Sequence, residues 1–538
     1  MTTPKGHLSV ADLTDRIRSG EIETVITAIC DMQGRLVGKR VTGDFFLDHC
    51  LEHGTHFCSY LLGTDMEMTT PDGYAAMDWA GGYGDYLATP DWSTLRAIPW
   101  LERTALVMCD ATDEETGAAI AFAPRSILQR QIAQLADLGL VPQMATELEF
   151  HVLKESYEEV HAKHFVDLTP FGWYNEDYHL LQATKAEPLH RRLRNEMSAA
   201  GIPVEFSKGE ASPGQHEVNI HFAGALEAAD RAVLFKHGAK EIAFHEGHAV
   251  TFMSKPHHEW TGSSGHIHVS LVDAITGANV FVANDDRDCR ELSEVMRWFL
   301  GGLIAGAQEL SIFFASTINA YKRFAVASWA PVHLVWGRDN RTCAFRVVGR
   351  GSALRIENRL PGADSNPYLA FAAVLATGLD GIERQIEPTA EFAGNGYTAT
   401  DLPRIPKTLY RAIDAWQTSA LARRAFGDVV HGHYLNMAQV EQDTLWHRWN
   451  RTRSMPSSPI GSAPGIWNGD RHDRVRYYDR ENRRRQEAWC CDFTHHQQSS
   501  WHRAALRAVW STSPRSLRLR REQPVHRRQR SGLRCGLC

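Results

Sequence analysis

Alternation of apolar and polar residues with period two recurs in four separate stretches of the chain, and in each the polar side is rich in ionisable groups. In "MATELEFHV", Met144, Thr146, Leu148, Phe150 and Val152 share one side of a predicted strand, and Glu147, Glu149 and His151 the other. In "GEASPGQHEVNIHF", Glu210 precedes a turn, after which Glu217, Asn219 and His221 alternate with Val218, Ile220 and Phe222. In "TGSSGHIHVSL", His266, His268 and Ser270 oppose Ile267, Val269 and Leu271, and in "ALRIENRLP", Arg355, Glu357 and Arg359 oppose Leu354, Ile356 and Leu360.

Elsewhere the pattern predicts an opening helix followed by short strands and turns up to about residue 117. There "TVITAICDMQGRLVGKRV" gives two strands joined at Gln33 and Gly34. A helix starts in "APRSILQRQIAQLADLG", with Pro124 in its first turn, an apolar face of Ile127, Leu128, Ile132, Leu135 and Leu138, and Gly139 as its stop. The domain boundary is placed just before it, giving segments 1–117 and 118–445. One half-solvated strand is unremarkable in an antiparallel sheet. Four of them, curved into a barrel-like sheet, would converge their polar faces on one cavity.

The 538 residues carry a net charge of −6, with 43% apolar and 23% charged residues, as expected of a multidomain globular protein. That net value conceals a division: from Trp446 onward there are 20 Arg, no Lys and 7 acidic residues, net +13, against −19 for the preceding body. An acidic body argues against nucleic acid as a partner. Segment 446–538 lacks amphipathic periodicity, and arginine without lysine suggests a GC-rich gene translated in a shifted frame, so it is expected to be disordered or artefactual. A basic arm for RNA or an acidic surface is the alternative. No long apolar run or signal-peptide core is present, and the ten cysteines lack a regular framework, which predicts a cytoplasmic protein with reduced thiols and no membrane partner.

A cavity holding Glu147, Glu149, Glu210, Glu217, Glu357 and His266 needs cations to offset its carboxylates. Hard divalent ions with oxygen ligands, Mg2+ or Mn2+ rather than Zn2+, match that donor set. Arg323, Arg341, Arg346, Arg355 and Arg359 add guanidinium groups suited to carboxylate or phosphate, so the set points to phosphoryl transfer onto or from a carboxylate.

In order and approximate spacing, "TELEF", "KGEASPGQHE", "GHIHVSL", "NAYKRF", "DNRTCAFRV" and "RIENRLPGADSNPYLA" resemble the signatures of class I of the glutamine synthetase family. The resemblance implies an α+β protein with an N-terminal β-grasp domain, a catalytic domain built on a curved antiparallel sheet, and homo-oligomeric stacked rings, as in a dodecamer. It also implies ATP as a substrate and activation of glutamate as γ-glutamyl phosphate, which an amine attacks. By resemblance, Glu149, Glu210 and Glu217 hold the metal beside glutamate, and Glu147, His266 and Glu357 the metal on the nucleotide phosphates. Gly262, Arg323 and Arg359 correspond to glutamate-binding groups, with Thr261 in place of the usual asparagine. His268, Arg341, Arg346 and Arg355 correspond to the phosphate side, and Phe222 and Ser270 to nucleotide contacts; Arg323 and Arg341 are thereby expected at the reaction.

Two departures bear on the amine. Trp329, in "YKRFAVASWAP", occupies the place of a flap glutamate, and Cys58, in "HFCSYLLGTD", that of an aspartate from a neighbouring subunit. Both anions would attract ammonium and accept its proton. Their replacement, with every metal position kept, resembles the γ-glutamylamide synthetase branch, whose members join glutamate to organic amines, and places Trp329 at the reaction. A true glutamine synthetase and a non-catalytic scaffold are the competing expectations.

Overall fold

The computed structural model describes residues 5–283 and 291–453; the expectation for 446–538 lies, beyond Arg453, outside the described residues. The opening helix Val10–Arg18 is capped by Ser9, whose hydroxyl accepts from the Asp12 amide in a capping box, and it buries Leu13 and Ile17. Six strands follow: β1 (Thr24–Cys30), β2 (Leu36–Thr42), β3 (Thr55–Cys58), β4 (Asp85–Pro90), β5 (Arg96–Ala97) and β6 (Thr104–Thr112). They form one sheet in the order β2-β1-β6-β4-β3, with β5 on β6. β1 and β2 are the predicted hairpin, and β1 runs parallel to β6.

The helix Pro124–Asp137 follows with Pro124 in its first turn, burying Ile127, Leu128 and Leu135. Leu138 departs from the predicted apolar face: it is the C-cap residue, beyond the last turn that packs, and is exposed.

Nine strands form the second sheet: β7 (Leu140–Leu153), β8 (Val204–Gly209), β9 (Gln215–Ile220), β10 (Ala223–Gly224), β11 (Ala249–Thr251), β12 (Gly265–Asp273), β13 (Trp336–Arg338), β14 (Phe345–Val348) and β15 (Arg355–Asn358). Their order is β13-β14-β15-β12-β7-β9-β8, with β10 and β11 also on β7. All these pairs are antiparallel except β13 with β14. The sheet is open, with β13 and β8 at its two ends, rather than a closed barrel. Phe222 was expected on its apolar side; it falls just past the end of β9 and is exposed.

The apolar side of this sheet buries Met144, Leu148, Val218, Ile267, Val269 and Ile356 in the main core, which the helices Ala225–His245 and Pro367–Glu383 share. At roughly 1.5 to 3 kcal/mol per fully buried large apolar side chain, that packing holds the strands rigidly enough to tolerate charge on the other side. Arg125 ties the first sheet to the helix Ala225–His245: it is buried, and donates to Asp91, Asp110 and Asp230 at 2.6, 2.6 and 3.0 Å. Among the described residues no helix is long and apolar enough to cross a membrane.

Candidate active site

Strand register lines the ionisable groups up in rows. Lys208 on β8 pairs with Glu217 on β9, which pairs with Glu149 on β7. One step along, Asn219 pairs with Glu147 and Glu147 with His266; further on, His268 pairs with Glu357 and Glu357 with Arg346. Because directly opposed side chains stand only about 5 Å apart, register alone gathers charges that are far apart in the chain. The rows face a cavity of about 390 Å³.

Glu149, Glu210 and Glu217 bring carboxylate oxygens within 4.8 Å of one another. Burial and the neighbouring Glu210 push Glu149 upward, burial also raises Glu217, and burial with a hydrogen bond to Glu217 lifts Glu210 to about 7. Three buried carboxyls resisting ionisation together fit a hard divalent cation, which would relieve their repulsion. Glu149 is oriented by Ser264, whose amide and hydroxyl donate at 2.8 and 2.5 Å, and by Gln215 at 3.2 Å.

The second group differs electrically. Glu147, His268 and Glu357 also lie within 4.8 Å, and His266 Nδ1 stands 3.2 Å from Glu147 and 3.5 Å from Glu357. Burial opposes ionisation of Glu357, yet Arg359, His266 and His268 hold it down at about 2. Glu147 is likewise held well below the usual carboxylate range, against burial, by His268 and His266. Arg355 Nε donates to His268 Nδ1 at 3.1 Å, which leaves His268 Nε2–H to donate to Glu147 at 2.7 Å. Both nitrogens of His268 are thus engaged. His266 has the freer ring for a cation.

Arg323 and Arg359 are buried at 2% and 5% exposure, and the Nε–H of each has no hydrogen-bond partner. Burial lowers Arg323 to about 10. Its other end donates to the Leu360 carbonyl, while Arg359 pairs with Glu357 and donates to the Trp329 carbonyl at 3.3 Å. Gly262 lies against Arg323: a Cβ there would meet Arg323 Cγ at 2.5 Å and the Ser254 carbonyl at 2.8 Å. Only glycine permits that approach. Thr261, beside it, donates to the Ala211 carbonyl at 2.9 Å.

Trp329 lines the cavity and is 56% exposed, with a left-handed backbone (φ 64°). Arg341 and Arg346 line it as well; Arg346 pairs with Glu357 at 2.8 Å and with Asp339. His268 and Arg355 reach the site through Glu147, outside the lining. Ser270 lies further along β12, opposite Gln143, and Phe222 stacks on His221; neither lines the cavity. Cys58 closes β3, its thiol donating to the Tyr83 carbonyl at 3.1 Å, away from this chain's own cavity.

Sequence reasoning missed Lys208, Tyr178 and Phe206, which also line the cavity. Lys208 shares the parity of Glu210 in "KGEASPGQHE", a signal that alternation carried; nothing in the sequence signals Tyr178.

Residues 121–454 match the glutamine synthetase catalytic domain. The chain belongs to the glutamine synthetase family. Within that family it is 48% identical over 438 residues to the gamma-glutamylethanolamide synthetase of Streptomyces coelicolor, covering 81% of this chain and 93% of that protein. It is 38% identical over 431 residues to a glutamate–isopropylamine ligase of Pseudomonas, covering 80% and 93%. Among solved structures, GmaS in complex with ADP superposes with a TM-score of 0.70 at 26% identity, covering 82% of this chain and 99% of that one.

Proposed function

We propose that the protein is an ATP-dependent ligase that joins the γ-carboxylate of glutamate to a small organic amine through γ-glutamyl phosphate. One observation carries the reading: two buried arginines with unpaired Nε–H groups stand in the same cavity as a tight carboxylate cluster. Buried guanidinium donors left open suit a carboxylate ligand. The similarity to two glutamate–amine ligases supports the same reaction.

In this reading Arg323, Arg359 and Gly262 hold glutamate, and Arg341 and Arg346, with His268 and Arg355 behind Glu147, offset charge on the transferring phosphate. Glu149, Glu210 and Glu217 would hold one Mg2+ or Mn2+, and Glu147, His266 and Glu357 another; such ions polarise phosphoryl and acyl oxygens when bound. Phe222 and Ser270 would meet the nucleotide outside the cavity. Trp329 offers an apolar face where a carbon-bearing amine enters. Ethanolamine and isopropylamine are the first amines to try.

Residues 1–117 are assigned to a β-grasp domain, on the parallel pairing of β1 with β6 at the middle of the first sheet, and 118–445 to the catalytic domain. A cytoplasmic homo-oligomer of stacked rings is the assembly proposed, with neither nucleic acid nor membrane as a partner. Phosphate release from ATP, measured with glutamate and a panel of amines that includes ammonia, tests the function. Turnover with an organic amine well above that with ammonia is expected. Preference for ammonia would make the protein a glutamine synthetase, and no release with any amine would make it a scaffold.

A further inference from the structure

Val204, Phe206 and Lys208 alternate along β8 and would share one face of a regular strand. The register forbids it. Val204 pairs with Ile220 and Phe206 with Asn219, so two steps along β8 match one along β9, and Glu205 is the extra residue of a β-bulge. Val204 therefore turns to the side of Ile220 and packs against the main core. Phe206 instead ends the row Phe206, Asn219, Glu147, His266, on the side of the carboxylates, and lines the cavity. Bulges beside functional sites re-aim side chains, and this one puts a phenylalanine among polar groups. β8 is the end strand of its sheet, and the Phe206 ring is left 48% exposed.

Two further rings line the same cavity in the same open way, Trp329 and Tyr178, both on left-handed backbone (φ 64° and 58°). The remaining aliphatic side chains of the lining are Ala211 and Ala330, while Asp177, Lys208, Arg323 and Arg341 end in charges. Glutamate and phosphate bring oxygens for the charged groups, whereas an amine brings carbon, which aromatic surface suits. We propose that Phe206 is a specificity-determining residue: the bulge in β8 aims its ring at the carbon of the amine, so that selectivity grows with each carbon the amine carries. The inference rests on the ligase reading and narrows its substrate class to small amines with an apolar carbon body.

The test measures kcat/KM for ammonia, methylamine, ethylamine and isopropylamine in the full chain and in Phe206→Ala and Phe206→Leu. In the wild type kcat/KM is expected to rise by about fourfold per added carbon, the ratio that burying one methylene gives. In Phe206→Ala the rise is expected to flatten to about twofold per carbon, with Phe206→Leu between the two and the KM for ATP within about twofold of the wild type's. A second readout needs no turnover. Saturation transfer from aromatic protons to the methyl protons of isopropylamine, with glutamate present, is expected to fall in Phe206→Ala. No rise in the wild type, an equal loss for every amine including ammonia, or a raised KM for ATP in place of the flatter rise would each overturn the proposal, the last by giving Phe206 to the nucleotide. So would light scattering that shows Phe206→Ala losing its assembly, since the ring would then serve a subunit contact. If the wild type turns over no amine, the ligase reading fails and the saturation transfer decides: a signal that falls in Phe206→Ala keeps the contact between ring and amine, and one that is absent or unchanged overturns it.

Discussion

Glu357 is fully buried and nevertheless held ionised, because Arg359 and Arg346 both pair with it and His266 stands 3.5 Å away. Removing its carboxylate would leave two guanidinium groups around an empty position. Glu357→Ala is expected to abolish turnover and to lower stability by roughly 3 to 5 kcal/mol, the cost of breaking a buried ion pair from one side. Initial rates and thermal melts check it, and near-normal activity would remove Glu357 from the site. Trp329 is a different kind of residue: exposed, in a strained conformation, and tied by its carbonyl to Arg359. A buried methylene is worth about 0.8 kcal/mol and a cation–π contact about 0.5 to 2 kcal/mol, together enough to shift amine preference by one to two orders of magnitude. Trp329→Glu is therefore expected to narrow or reverse the preference for an organic amine while leaving the KM for ATP little changed. An amine ratio that stays constant as all rates fall would reduce Trp329 to a packing residue of the flap.

At the scale of elements, the alternation of Glu147 with Leu148 and of Glu217 with Val218 told which side chains share a face, and so grouped the carboxylates of the cavity from sequence, whereas Gly262 and Trp329 came only with the family resemblance. Register was not legible there. That Lys208 stands across from Glu217, and Arg346 across from Glu357, follows from pairing between strands distant in the chain, which local periodicity does not encode. Leu138 and Phe222 mark the other limit, since a periodic pattern does not announce where its element ends. The contact of the last described helical segment, Ala420–Arg453, which breaks at Gly427, was likewise invisible. There His433 Nε2 donates to the Leu62 carbonyl at 2.8 Å and its ring stacks on Phe122 at 4.3 Å. Burial lowers His433 from 6.5 to about 4. Between those values the unfolded chain binds a proton that the folded one refuses, so the stability from neutral His433 is complete above 6.5 and is lost as pH falls toward about 4. The loss amounts to about 3 kcal/mol at most. His433→Gln keeps a donor for Leu62 and removes the titration, so Tm should fall less steeply with acid across that window. A slope equal to the wild type's would place the acid sensitivity elsewhere, for instance at His190, which burial also lowers to about 4.

For the whole molecule, the core of the described residues closes well before the arginine-rich segment begins. The last buried side chain in it is Ala438, and Glu441 still accepts a hydrogen bond from the Ile318 amide at 3.2 Å. Residues 446–538 add a net charge of +13 to a body of −19. Removing them takes the protein from −6 to −19, further from the neutral point where association is favoured. Truncation after Leu445 is therefore expected to keep Tm within a few degrees of the full chain's, with solubility and ligase rate no lower. Light scattering would report assembly alongside. A marked loss of activity, of solubility or of the assembled form on truncation would show that the arginine-rich segment contributes contacts that the acidic body needs, and would turn its basic charge from a passenger into a partner for that surface.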